Sequence, residues 1–119
     1  MAKESIIKEK SFEFALKIIT LYKLLIENKE YIISKQLLRS GTSIGANVEE
    51  ASAGISKRDF IAKMSISSKE ARETHYWLRL LEKSNYINID FKSYLKDCEE
   101  IINILTAIVK TGQKNIQNL

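Results

Sequence analysis

The sequence predicts an all-α protein, an antiparallel up-down-up-down four-helix bundle that occupies residues 1–119 as one domain. Three observations predict it. Proline is absent and glycine occurs only at 41, 45, 54 and 112, so little interrupts long helices. Apolar residues recur at steps of three and four in four segments of similar length. The polar breaks between those segments are short, which makes consecutive helices antiparallel neighbours. With 119 residues, 45% of them hydrophobic, the chain is long enough to bury a core without disulfides or metal.

Helix one is expected over residues 6–27. One apolar stripe runs Phe12, Ala15, Ile19, Tyr22 and Ile26, and a second runs Phe14, Ile18, Leu21 and Leu25, about 100° round the helix. Together they are wider than one helix–helix contact needs. Asn28, Lys29 and Glu30 make the first turn.

Helix two begins near Tyr31 to Ser34 and reaches about Ala53, with Leu37, Ile44, Val48 and Ala51 as its apolar face. Gly41 and Gly45 fall inside it. Each costs about 1 kcal/mol relative to alanine in a helix, and the usual compensation is the close approach of a neighbouring segment. Gly54 sits where a C-cap is expected.

Helix three runs from about 57 to 83, opened by Ser56 or Lys57. Its core stripe is Phe60, Met64, Ser67, Ala71, Thr74, Leu78 and Leu81, small and polar in the middle, as close packing requires. Opposite lies Arg58, Ser65, Lys69, Arg72, Tyr76, Arg79 and Lys83, a stripe with cations, one aromatic and no acid. Ser84 and Asn85 end the helix, and Asn88 or Asp90 caps the next.

Helix four, about 90 to 114, carries Phe91, Leu95, Cys98, Ile102, Leu105 and Val109 at heptad steps, with Ile101, Ile104 and Ile108 beside them. The tail from Gln113 to Leu119 is expected to fray. As in helix one, the apolar surface exceeds a single seam, and the excess on both points to self-association.

Most chemistry is argued against. A carboxylate-bridged di-iron bundle needs Glu-x-x-His on two helices, whereas the one histidine, His75, has Arg72 three residues before it. Glu49, Glu50, Glu70 and Glu73 can meet between helices two and three, and the plainer expectation is that they pair with Arg39, Arg72 or water. The Gly41-Thr-Ser-Ile-Gly45 string lacks the Gly-Lys-Ser/Thr ending and preceding strand of a phosphate loop. Cys98 occupies an apolar heptad position, as a small core residue would. No catalytic residue, metal site or cofactor is expected, and the protein is read as no enzyme. One cysteine fits a reducing compartment, the start MAKESIIKEK lacks a signal peptide, and no window is apolar enough to span a membrane, so the expected location is cytoplasmic.

The strings Arg39-Ser-Gly-Thr-Ser-Ile-Gly-Ala-Asn-Val-Glu-Glu-Ala51 and Ser65-Ile-Ser-Ser-Lys-Glu-Ala-Arg-Glu-Thr-His-Tyr-Trp-Leu78 resemble the four-helix-bundle proteins encoded within 23S rRNA intervening sequences. The likeness extends over essentially the whole chain. The family pattern often has Glu-Gly where this chain has Glu50-Ala51. The resemblance implies an antiparallel bundle assembling as a homopentamer. A related group, the accessory proteins of diversity-generating retroelements, are basic pentamers that partner a reverse transcriptase and nucleic acid. The motif positions Arg39, Ser43, Asn47, Glu50, Ser65, Glu70 and Glu73 are carried over as structural, and the family brings no established activity.

The net charge of +4 is too small to imply nucleic acid by itself. The distribution carries the expectation instead: a non-enzymatic oligomeric bundle that binds RNA or a ribonucleoprotein through Arg58, Lys69, Arg72, Tyr76, Arg79 and Lys83. The rival is a protein–protein scaffold or adaptor in which the same stripe meets an acidic partner or water. No membrane and no small-molecule substrate enter either reading.

Overall fold

The structure, a computed structural model, describes residues 2–117. Four helices follow one another: α1 (Ala2–Glu27), α2 (Ile33–Ser52), α3 (Lys57–Ser84) and α4 (Lys92–Gln117). At 1.5 Å per residue each is roughly 30–42 Å long. Connections as short as 28–32, 53–56 and 85–91 cannot return to the helix start, so each helix runs back along its predecessor.

Cross-helix pairs give the register. Ile18 faces Gly41 and Ser11 faces Gly45, so α1 and α2 run in opposite senses. Ser67 Oγ donates to the Ile44 carbonyl at 2.8 Å, and Thr74 Oγ1 lies 2.9 Å from Ser40 Oγ, which orients α3 against α2. Lys10 pairs with Glu100, and Lys17 with Asp97, closing α4 back onto α1. The result is an elongated bundle of 51 × 22 × 22 Å.

The core draws one stripe from each helix. On α1 it is Ile7, Phe14, Ile18, Leu21 and Leu25. The other expected stripe turns outward, leaving Phe12 61% and Ile19 37% exposed. On α2, Leu37, Ile44, Val48 and Ala51 are buried as expected. On α3 the seam opens with Ile61 rather than Phe60, then follows Met64, Ser67, Ala71, Thr74, Leu78 and Leu81. On α4 it runs through Cys98, Ile101, Leu105 and Ile108, with Leu95, Ile102 and Val109 half-buried at its edge. Each fully buried leucine or isoleucine contributes about 1.5–3 kcal/mol. The apolar excess expected on α4 is thus largely taken up inside the bundle, whereas that on α1 stays outside.

The glycines of α2 are space-makers. A Cβ on Gly41 would stand 2.9 Å from the Ile18 side chain, and one on Gly45 would stand 3.3 Å from the Ser11 carbonyl oxygen. Gly54 differs from expectation. The C-cap is Ala53, and no glycine among the described residues has a positive φ. What Gly54 supplies is room, since its Cβ would lie 3.1 Å from the Ala51 carbonyl oxygen and 3.3 Å from the Phe60 nitrogen.

The helix ends follow local chemistry. Ser56 accepts the Asp59 N–H at 3.1 Å and caps α3, which ends at Asn85 in the left-handed region with φ 59°. Asp90 accepts the Lys92 N–H at 3.0 Å at the start of α4. Lys29, φ 63°, turns the chain after α1. Glu30, a turn residue by sequence, is buried and accepts the Ile33 and Ser34 N–H groups at 3.0 and 2.5 Å, capping α2 from outside the helix. Two expected boundaries move outward: α1 begins at Ala2, and α4 stays helical through Gln117, with residues 118 and 119 outside the described ones.

Candidate nucleic-acid interface

The basic stripe rides on the longest helix, α3, at 28 residues. Its position follows from that helix's period. Because Met64, Ala71, Leu78 and Leu81 are drawn into the core, the residues opposite them must face solvent. Arg58, Lys69, Arg72, Arg79 and Lys83 are all exposed, and Tyr76 among them is 47% exposed. From first to last the row covers roughly 37 Å of helix axis.

Five cations outside the row are paired with carboxylates. Lys8, Lys10, Lys17, Arg39 and Lys63 each lie within 4.0 Å of a carboxylate. Among the described residues, no row cation does. Arg72 makes one hydrogen bond, Nη2 to Thr106 Oγ1 at 3.1 Å, to a neutral group on α4. The Tyr76 ring stands edge-on to Trp77 with centroids 5.0 Å apart, leaving much of the ring open to solvent.

Between the row and α4 lies an open recess of about 340 Å³, lined by Arg72, His75, Arg79, Glu99, Ile102 and Asn103. His75 Nε2 and Glu99 Oε2, 3.0 Å apart, are among its lining, with the Glu99 side chain 60% exposed. Sequence reading found the arginines and missed Glu99 and Asn103. No motif marks them, and only the register of α4 against α3 brings them opposite Arg72 and Arg79. A larger cavity, about 510 Å³, opens where the start of α1 meets α3 and α4, walled by Phe60, Ile61, Ile108 and Gly112. Its walls are mostly apolar, so volume alone does not select the site.

The motif residues stand on another face and clamp α2 to α3. Arg39 Nη1 donates to Glu70 Oε2 at 3.1 Å, and its Nη2 donates to Glu73. Glu73 also accepts Trp77 Nε1–H at 3.1 Å. The hydrogen bonds from Arg39 and then Trp77 hold the Glu73 carboxyl below its ordinary pKa, against the opposing effect of burial. Ser43 Oγ donates to the Arg39 carbonyl at 2.6 Å, and Asn47 Nδ2 to the Ser43 carbonyl at 2.8 Å, so both bond back along α2. Glu50 pairs with Lys63 at 3.0 Å, whereas Glu49 turns to Lys8 of α1 at 3.7 Å. Glu70 and Glu73 therefore share Arg39 while Glu50 and Glu49 each take a lysine, and Arg72 joins none of them. Ser65 is half-buried on α3.

Fold and surface together define an all-α four-helix bundle with a basic face along its third helix. The family model described as 23S rRNA-intervening sequence protein matches residues 3–107, and the chain belongs to that family. A solved structure of a protein of unknown function from the S23 ribosomal protein family of Bacteroides thetaiotaomicron VPI-5482 is 50% identical. It superposes with a TM-score of 0.86 over 91% of this chain and 98% of that one. No curated protein matches the chain.

Proposed function

We propose that the protein is a non-catalytic module that binds RNA, free or within a ribonucleoprotein, through the basic row of α3. The observation that carries this reading is the alignment of five exposed cations on one helix face. Arg58, Lys69, Arg72, Arg79 and Lys83 stand exposed along one face of α3, with no carboxylate within 4.0 Å of any of them among the described residues. A row of unneutralised cations is the footprint that a phosphate backbone fits. The half-exposed Tyr76 ring adds a surface on which a base can stack.

Several groups that catalysis would recruit are engaged elsewhere, which supports a binding role. Burial pushes the Cys98 thiol up to about 12, His75 is held by Glu99, and Glu70 and Glu73 are held by Arg39. Homo-oligomerisation belongs to the same proposal, supported by the exposed α1 residues Phe12, Leu16 and Ile19. In a ring, weak phosphate contacts on each copy would add through avidity. The lone cysteine supports a cytoplasmic setting.

The test is retention of cellular RNA as salt is varied. Log affinity is expected to fall linearly with log salt, by roughly 0.7 per phosphate neutralised on a single strand. Arg72→Glu with Arg79→Glu is expected to abolish retention while the thermal melt is preserved. Absence of RNA binding at low salt would transfer the row to an acidic protein partner.

A further inference from the structure

We infer that the cavity where the start of α1 meets α3 and α4 holds the alkyl chain of a soluble amphiphile with one anionic head, of which an alkyl carboxylate is the simplest. The site is separate from the RNA-binding reading, since no residue of the basic row lines it. It arises because the last layer of the core is left unfilled. The buried stripe of α1 runs Leu25, Leu21, Ile18, Phe14, Ser11 and Ile7, alternating steps of four and three, and its next step lands on the charged Glu4. The α4 stripe runs Ile101, Leu105 and Ile108 and next lands on Gly112, which has no side chain. The α2 stripe runs Ile44, Val48 and Ala51 and would continue at Ile55, but α2 ends at Ser52 and Ile55 is 95% exposed. Among the described residues, only α3 gives this layer large apolar side chains, Phe60 and Ile61.

The space that remains is about 510 Å³, within the roughly 300–1,000 Å³ of small-molecule pockets. Its apolar walls are the part that is built: Ile61 and Ile108 are buried, and Phe60 is half-buried. None of these side chains offers a hydrogen bond, so the group they favour is one that needs none. The charged residues of the lining are Lys3 and Lys57, both exposed, and the half-buried Glu4. Two lysines against one carboxylate leave one positive charge in excess, which complements an anionic head and opposes a cationic one. The lysines stand on different helices, α1 and α3, and their long stems can reach a head that stays in water while the chain lies against the buried walls. The walls select the chain, and the lysines add attraction.

Titration calorimetry on the full chain with decanoate, below the concentration at which it forms micelles, tests this. Decanoate is expected to bind saturably, one per chain, and each methylene removed, read with nonanoate and octanoate, is expected to weaken binding about fourfold. Lys57→Glu, an exposed change, is expected to weaken decanoate about tenfold with the thermal melt preserved. Thr111→Trp puts a large side chain at an exposed lining position of α4 and is expected to weaken decanoate at least as much. Phe12→Glu, on the outer face of α1, is expected to leave decanoate binding unchanged. The basic row is intact in all three variants, so RNA retention is read separately. Absence of saturable binding, equal affinity for decyltrimethylammonium, or loss of binding in Phe12→Glu but not in Thr111→Trp overturns the assignment.

Discussion

Cys98 shows how a side chain's surroundings decide its chemistry. The thiol is fully buried and donates to the Ala71 carbonyl at 3.3 Å. Burial, reinforced by Glu99 and Asp97, pushes it up to about 12, so the reactive thiolate is scarce at ordinary pH. Native protein at mildly alkaline pH is expected to resist iodoacetamide and to be labelled only in denaturant, as mass spectrometry would read. Rapid labelling of the native form would contradict this. Glu30 is the matching carboxylate case. Burial acts to raise its pKa, but the Ile33 and Ser34 N–H groups, with the Tyr86 and Ser34 hydroxyls, outweigh burial and leave it lowered. A folded pKa below the unfolded one gives stability that is full above the ordinary carboxylate range and lost as pH falls through the folded value. Glu30→Ala is expected to cost about 0.5–2 kcal/mol at neutral pH, as for loss of a helix cap. Denaturant unfolding should show that difference shrinking in acid, and a difference independent of pH would contradict the capping account.

At the scale of elements, the α1–α2 contact depends on missing side chains. The Ser11 carbonyl occupies the space beside Gly45, so a leucine there must displace backbone. Gly45→Leu is expected to cost about 1–3 kcal/mol, read as a lowered thermal midpoint. Gly45→Ala is a finer probe. Its Cβ meets Ser11 O at 3.3 Å, tight enough to offset much of the gain of about 1 kcal/mol in helix propensity. A near-neutral melt is expected, and a large stabilisation would mean that α1 yields easily. Gly112 does similar work where α4 meets α3, since its Cβ would stand 1.7 Å from Ile61 Cδ1. The close approach at Gly41 and Gly45 was legible because two glycines in a proline-free helix need a reason. Gly112 was not legible, because the residue filling its space is remote in sequence.

For the whole molecule, the open question is what covers α1. Phe12 and Leu16 are 61% and 53% exposed, side by side on a helix whose core stripe is already satisfied. Light scattering on purified protein is expected to report an oligomer, and Phe12→Glu with Leu16→Lys is expected to return monomer with an unchanged helical melt. A parent that is monomeric at micromolar concentration would overturn the assembly. No helix among the described residues is long and apolar enough to cross a membrane, so the bilayer is not what these side chains meet as a spanning segment.

Local rules determined the helices, the Ser56 and Asp90 caps and the Asn85 stop, because capping and periodicity act within a few residues. They also placed the basic row of α3 opposite its core stripe, since one helix has only one geometry. Periodicity could not say how a helix is rotated against its neighbours. Tertiary packing chose Phe14 and Ile18 over Phe12 and Ile19 on α1, and shifted the α4 seam toward Ile101 and Ile108. The same choice set Arg39 between Glu70 and Glu73 and brought Glu99 and Asn103 beside Arg72 and Arg79. Each of these pairings joins residues distant in the chain, and their relative placement is decided by how four faces fill one core.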